Sequence, residues 1–386
     1  MKIPAHKSLF EATAIYVGTA VGAGIFGLPY AMAKFGFWPS LLYLLILTGA
    51  TALLSIFYGE VVLRTKEKRQ MVGYADKYAG RWGGRIIFVS LIIGNYGSLL
   101  AYTIGVGQFL FELLGPYLGG SPFAYSLAFF AIMSVIIFRG LKLVAGAEVT
   151  LNALFISAVI LLFFIGLPFI KAENYFSIDL RHFFLPYGVI LFAVGALSSV
   201  PLMDETLTST DRRRDLKKSI LAGSVVTMSI YLLFAVLVVG VTGADTSPEG
   251  IIGLGGALGR GVLAAGSVFG ILTMSTSFLT LGFIINQVYE LDYRMPHLAA
   301  WLLTCTIPLI AFLSGLNEFI RVIGLIGSVV GGAEGIIMIL IWRRAKKRGN
   351  RQPEYSLKLP ALIPAFLFLI FFAGIIYQIF YSFNGN

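Results

Sequence analysis

The stretch Gly18-Thr19-Ala20-Val21-Gly22-Ala23-Gly24-Ile25-Phe26-Gly27-Leu28-Pro29 sits inside an uncharged run from Ala12 to Ala33. That run is long enough to cross a bilayer, which takes about 20 apolar residues. It nevertheless carries helix breakers at mid-depth. A glycine costs about 1 kcal/mol in a helix interior and a proline about 3, so an uninterrupted span would avoid such a cluster. Unpaired backbone at that depth is tolerated only where protein encloses it. The stretch therefore predicts a broken transmembrane helix. Gly22 to Gly27 also spells a G-x-G-x-x-G string, but a dinucleotide site needs a preceding strand and an acidic residue about 20 positions on. Both flanks are apolar here, and position 47 is a leucine.

The rest of the chain agrees. Of 386 residues, 58% are hydrophobic and 12% charged, with mean hydropathy +0.86. A soluble domain of this size carries about twice that share of charge. A lone cysteine, Cys305, excludes a disulfide framework and a cysteine-based metal site. The histidines His6, His182 and His297 are far apart in sequence. The first apolar run is full length and lacks a signal-peptide pattern, so it is expected to stay as the first span. Eleven spans are predicted, near 9–33, 37–62, 85–114, 122–138, 147–170, 183–205, 217–243, 259–290, 296–314, 319–342 and 359–383.

Charge placement orients them. With a cytoplasmic N-terminus, the inner segments hold two, seven, two, five, one and seven basic residues, 24 of the 29. Only Lys34, Lys171, Arg181, Arg260 and Arg321 fall outside. The positive-inside rule then places the N-terminus in the cytoplasm of a plasma-membrane protein and the C-terminus outside. The net charge of +10 needs no nucleic acid to explain it; its inner location suits an anionic lipid leaflet.

Five spans (9–170) and the next five (183–342) would lie with opposite orientations, followed by an extra helix (359–383), in one transport domain over residues 1–386. The first span of the second half carries Phe192-Ala193-Val194-Gly195-Ala196-Leu197-Ser198-Ser199, with Pro201 just beyond. Interrupted segments at matching positions of inverted halves point to a secondary transporter's binding site. Small residues that let helices pack closely give the plainer explanation of either cluster.

The string from Gly18 to Pro29 resembles the opening helix of the amino acid/polyamine/organocation superfamily, above all its amino acid/auxin permease and aromatic amino acid permease branches. The resemblance implies an all-α integral membrane protein of eleven helices with the LeuT-type five-plus-five inverted repeat and discontinuous helices 1 and 6. It implies amino acid transport with no organic cofactor. The amides of Ala23 and Gly24 would meet a substrate carboxylate, beside Gly22 and Ser198. Carbonyls of Ala20, Phe192, Ala193 and Gly195 would meet its ammonium. Sodium-coupled relatives imply a further set for sodium: carbonyls of Gly18, Val21 and Thr273, with hydroxyls of Thr276 and Ser277. Positions 273, 276 and 277 share one helical face, although such hydroxyls also bond back to their own helix. The lysine that replaces sodium in some proton-driven relatives has no counterpart between Lys142 and Lys171.

Glu334 lies about 18 Å along the tenth span at 1.5 Å per residue. A carboxylate near mid-depth is a functional candidate by default, here for a coupling proton or a gate, against a purely structural hydrogen bond. Tyr96, Ser98 and Tyr102 of the third span are candidates to face substrate. Asp204 and Glu205, at the cytoplasmic end of the sixth, fit a gate or ordinary solvation. Basic residues stay at the span ends, which disfavours an acidic side chain, and Glu334 leaves a basic one open; the expected substrate is a neutral amino acid, aliphatic or small. The sequence holds no His-Glu-x-x-His or Gly-x-Ser-x-Gly for a membrane enzyme and no filter loop for a channel.

Overall fold

The structure, a computed structural model, describes residues 5–140, 147–208 and 212–384. Lys2 and Lys142 of the charge partition lie outside the described residues. The helices in chain order are α1 (Ala5–Ala20), α2 (Gly24–Phe35), α3 (Phe37–Leu63), α4 (Met71–Leu118), α5 (Pro122–Arg139), α6 (Ala147–Gly166), α7 (Leu185–Ala193) and α8 (Val200–Thr208). They continue with α9 (Leu216–Thr242), α10 (Ile251–Leu258), α11 (Arg260–Gln287), α12 (His297–Leu313), α13 (Phe319–Ile326), α14 (Gly332–Arg348) and α15 (Leu362–Asn384). No strand occurs among the described residues.

Among the described residues, eight helical segments are long and apolar enough to cross a membrane, and the bent pair α1–α2 makes nine. Shorter apolar helices, Ile156–Phe169 and His297–Leu313, stand where the fifth and ninth spans are expected. Length and composition alone therefore do not establish the count of eleven. The predicted start of the third span at 85 is late. Regular helix begins at Met71, and Gly80, at φ 80° and ψ 176°, kinks off a first short piece.

Helix ends follow local chemistry. Ser121 caps α5 by accepting from the Ala124 N–H at 3.4 Å, with Pro122 in the first turn where no N–H is needed. Gly140 closes the same helix in the left-handed region at φ 64°. Apolar side chains at Leu42, Ile46 and Leu369 face outward from the bundle, as lipid-facing spans require.

Both predicted breaks are present. Helix stops at Ala20 and restarts at Gly24, with a bend of 59°. It stops again at Ala193 and resumes through a short 3-10 turn, Leu197–Ser199, into α8. The first half-helix α1 packs on α9 and α8; α2 packs on α7 and α9. The two breaks thus lie side by side, backed by α9.

In lipid, apolar burial gives helices little reason to associate, so close backbone approach matters more. A Cβ at Gly327 would lie 1.9 Å from the Gly188 carbonyl oxygen and 2.6 Å from the Phe192 amide nitrogen. This contact seats α7 on a π-helical turn, Gly327–Gly331, between α13 and α14. No side chain larger than hydrogen fits there. Gly327→Ala is expected to cost about 1–3 kcal/mol through overpacking, read as a lower melting temperature of the purified protein. Gly49→Ala, with nothing within 4 Å of the added atom, is the control and should melt no lower than wild type.

Candidate substrate site

The two breaks meet through backbone. A Cβ at Gly24 would lie 2.5 Å from Ala193 Cα and 2.7 Å from its Cβ. The small residues at 24 and 193 therefore serve the contact between the half-helices. The expected open approach for a ligand lies instead at Gly22, where the nearest atom to an added Cβ is the Tyr102 hydroxyl at 4.0 Å.

Polar groups at the breaks are partly engaged. Ile25 N–H donates to Gly22 O at 3.3 Å and Phe26 N–H to Ala23 O at 3.1 Å, tightening the first turn of α2. Among the described residues, no turn hydrogen bond engages the N–H of Ala23, which immediately precedes the start of α2. The positive end of the α2 dipole is thus aimed into the break. At the second break, Gly195 N–H donates weakly to Phe192 O at 3.4 Å, and Ser199 caps Ala196 O with both its N–H and hydroxyl. Gly195 and Ser198 are exposed, Phe192 is half-buried, and Ala193 is buried.

One residue joins the two sites. Tyr231 of α9, fully buried, places its hydroxyl 2.7 Å from Ala20 O and 2.7 Å from Ala193 O. These are the last residues of α1 and α7. Sequence reasoning missed it, since a lone tyrosine in an apolar span carries no pattern that separates packing from bridging. The α9 face holding it also accommodates Tyr16, whose ring lies 2.7 Å from a Cβ built at Gly223 and whose hydroxyl pairs with Ser224 at 3.0 Å.

The remaining candidates are distributed. Of the three in α4, only Tyr102 stands at a break. The Tyr96 hydroxyl pairs with Tyr289 at 2.8 Å and donates to Leu303 O at 3.2 Å, and Ser98 bonds back to Gly94 O. Gly18 is half-buried and Val21 buried at the end of α1. Thr273 is buried on α11, Thr276 and Ser277 are half-buried, and the Thr276 hydroxyl donates to Thr273 O at 2.9 Å. The main packing partners of α11 are α4, α10, α6 and α12, whereas α1 packs on α9 and α8. The two parts of the expected sodium set therefore sit on helices that are not each other's main neighbours. Among the described residues, no group of three His, Cys, Asp or Glu side chains is arranged for a metal.

Glu334 is half-buried in the first turn of α14, directly after the π-helical turn. Among the described residues no side chain pairs with it. Among the described residues, the buried hydroxyl of Tyr58 on α3 also has no hydrogen-bond partner. Asp204 departs from the solvated reading: it is 2% exposed and grips Arg213 through two bonds of 2.7 and 2.6 Å. Glu205 meets Lys68 at 3.4 Å on the surface.

At the end of the bundle opposite the start of α1, a cavity of about 1380 Å³ opens between α4, α12 and α13. Tyr30, Gln108, Glu249 and Arg321 line it, and neither break does. Glu249 belongs to the loop before α10 and is 7% exposed. Burial, aided by the nearby Glu112 carboxylate, raises its carboxyl to about 7.

An all-helical membrane protein with two adjacent half-helix junctions at matching positions is built like a transporter of small solutes. The chain belongs to the tryptophan/tyrosine permease family, which it matches over residues 5–380, and so to the amino acid/polyamine/organocation transporters. Among its relatives, the tyrosine-specific transport system 1 of Haemophilus influenzae is 25% identical over 359 residues, covering 88% of this chain and 89% of that protein. Glutamine transporter 2 of Aliivibrio fischeri is 20% identical over 330 residues, covering 83% and 85%. The crystal structure of MhsT in complex with L-phenylalanine superposes with a TM-score of 0.61 at 15% identity, covering 98% of both chains. That likeness fixes the fold as LeuT-type. The relatives are named as transport proteins, and the chain is a multi-pass membrane protein rather than an enzyme.

Two measurements check the geometry. Gly24→Ala should lower the melting temperature by the equivalent of about 1–3 kcal/mol, because the added atom meets backbone, while Gly22→Ala should melt like wild type. Equal losses at both positions would contradict the contact. For Glu249, the raised value means that the folded chain holds a proton that the unfolded chain releases. Its contribution to stability is full below about pH 4.5 and is lost as pH rises through about 7. The melting temperature of Glu249→Gln relative to wild type should therefore rise across that window, and a parallel pair of pH profiles would refute the assignment.

Proposed function

We propose that this protein is a secondary active transporter that carries a neutral amino acid by alternating access, with the zwitterion bound between the two breaks. The observation that carries this reading is the meeting of the carbonyl ends of α1 and α7 beside the amide end of α2. A helix N-terminus favours a carboxylate, which here falls to the amides of Ala23 and Gly24. Helix C-termini favour a cation, so the ammonium falls to carbonyls of Ala20, Phe192, Ala193 and Gly195. Gly22, Ser198 and Tyr102 border the same space. Relatives named for tyrosine and glutamine, and a neighbour solved with phenylalanine, support a neutral zwitterion. They make aromatic amino acids the first to test, ahead of the aliphatic or small ones expected from the sequence. The 24-to-5 division of basic residues supports a plasma-membrane location with the N-terminus inside.

The coupling ion in this reading is sodium, moving inward with the amino acid. Neutral oxygens of Gly18, Val21, Thr273, Thr276 and Ser277 suit a hard monovalent cation without a buried carboxylate. Gathering them requires α1 and α11 to approach, a movement that alternating access supplies. The second reading is proton coupling through Glu334. It is favoured by a carboxylate without a pairing partner, placed directly after a π-helical turn, a feature frequent at functional sites.

Uptake of labelled amino acid into proteoliposomes decides between them. Under sodium coupling, Thr276→Ala with Ser277→Ala should weaken apparent amino acid affinity through reciprocal linkage, and Glu334→Gln should leave a sodium-dependent flux. Under proton coupling, a pH gradient alone should drive accumulation in sodium-free liposomes, and Glu334→Gln should abolish that response. Absence of uptake of all twenty amino acids under either gradient would overturn the transport assignment.

A further inference from the structure

We propose that Tyr231 is a positioning residue of the amino acid site, a proton-deficient bridge that holds the two half-helix ends at the spacing an ammonium requires. Ala20 O and Ala193 O each terminate a half-helix, where the chain breaks before the usual i+4 N–H donor arrives. Both carry the partial negative charge of a helix C-terminus. Left alone in a dry interior, two such ends repel, and an unsatisfied carbonyl there is costly. The Tyr231 hydroxyl sits 2.7 Å from each, which ties the junctions together from behind.

A phenolic hydroxyl has one proton. It serves two acceptors here, so the junction is short by one donor whichever carbonyl it faces. A protonated amine brings three N–H groups and a positive charge that both helix-end carbonyls attract; a carboxylate offers no donor, and a neutral donor fills the shortfall without that charge. The bridge also keeps formal charge out of the junction: tyrosine draws the two carbonyls together without a resident cation, so the positive charge that completes the set is the substrate's own. Gly24 against Ala193 holds the same junction from the other side through backbone contact. Moving one half-helix therefore strains the other through two independent links.

This inference rests on the amino acid reading above, and its test separates the two. A melting screen with the twenty amino acids on the wild-type protein selects the probe, beginning with L-tyrosine and L-phenylalanine. No stabilisation by any of them overturns the underlying reading and this proposal with it. Binding of the chosen probe and of its analogue lacking the amino group (3-phenylpropionate for phenylalanine) is then measured by competition in wild type and Tyr231→Phe. The bridge predicts that Tyr231→Phe weakens the amino acid at least tenfold and leaves the amine-free analogue within twofold. Equal weakening of both ligands, or an unchanged amino acid affinity, would reduce Tyr231 to a packing residue. Should Tyr231→Phe not fold, hydrogen exchange on the wild type gives the second reading. Segments 18–25 and 191–199 should gain protection together with the amino acid and not with the analogue; protection of only one segment, or the same response to both ligands, would overturn the bridge.

Discussion

Inside a bilayer no water is available to satisfy an interrupted backbone, and this constraint governs the arrangement of the whole molecule. Each break frees carbonyls at one half-helix end and amides at the next, and each group left in hydrocarbon costs several kcal/mol. The chain meets the cost by placing the two breaks together, so that each shields the other and both share one hydroxyl. The α9 helix is the wall that makes this possible. Tyr231 reaches both junctions from it, and its neighbour Ser224 anchors Tyr16 of α1 by a second buried hydrogen bond.

Around that junction the packing is backbone-tight. Gly188 and Gly327 let α7 press against the π-helical turn, and this contact fixes where α14 restarts and thus the level of Glu334. At the end where α3 finishes, a second buried carboxylate does the tying. Glu60 of α3 accepts from Trp342 at 2.8 Å, from Arg64 at 2.9 Å, and from the Ser356 hydroxyl and Leu357 N–H. Five donors around one carboxylate, counting both Arg64 bonds, explain why a charge tolerates full burial there. Among the described residues Glu334 has no such set, and the two carboxylates differ in this way although both lie within the bundle.

Much of this was legible because the governing patterns are local. The breakers between Gly18 and Pro29, and those between Ala193 and Ser199, announced discontinuous helices, since glycine and proline act on the chain within a turn. Hydropathy alone marked the apolar runs that form the long helices. Capping of α5 by Ser121, Pro122 and Gly140 is written in the same local terms. Where the expectations erred, long-range contact was the cause. The space beside Gly24 is filled by Ala193, and of the two readings of Asp204, a gate or a solvated end, burial against Arg213 removes the second. Tyr96 reads as facing substrate and turns to Tyr289.

By itself, the sequence determined that the chain is a bundle of membrane helices, that two of them are broken, and which way basic loops bias the insertion. These depend on composition and on neighbours a few residues apart. Tertiary structure alone decided that the breaks touch, that residue 231 joins carbonyls 211 and 38 positions away in the chain, and that the Thr273–Ser277 face lies on a helix whose main neighbours do not include α1. Such pairings depend on how helices cross. A crossing is fixed by the summed fit of many side chains, and no short stretch of sequence holds that information.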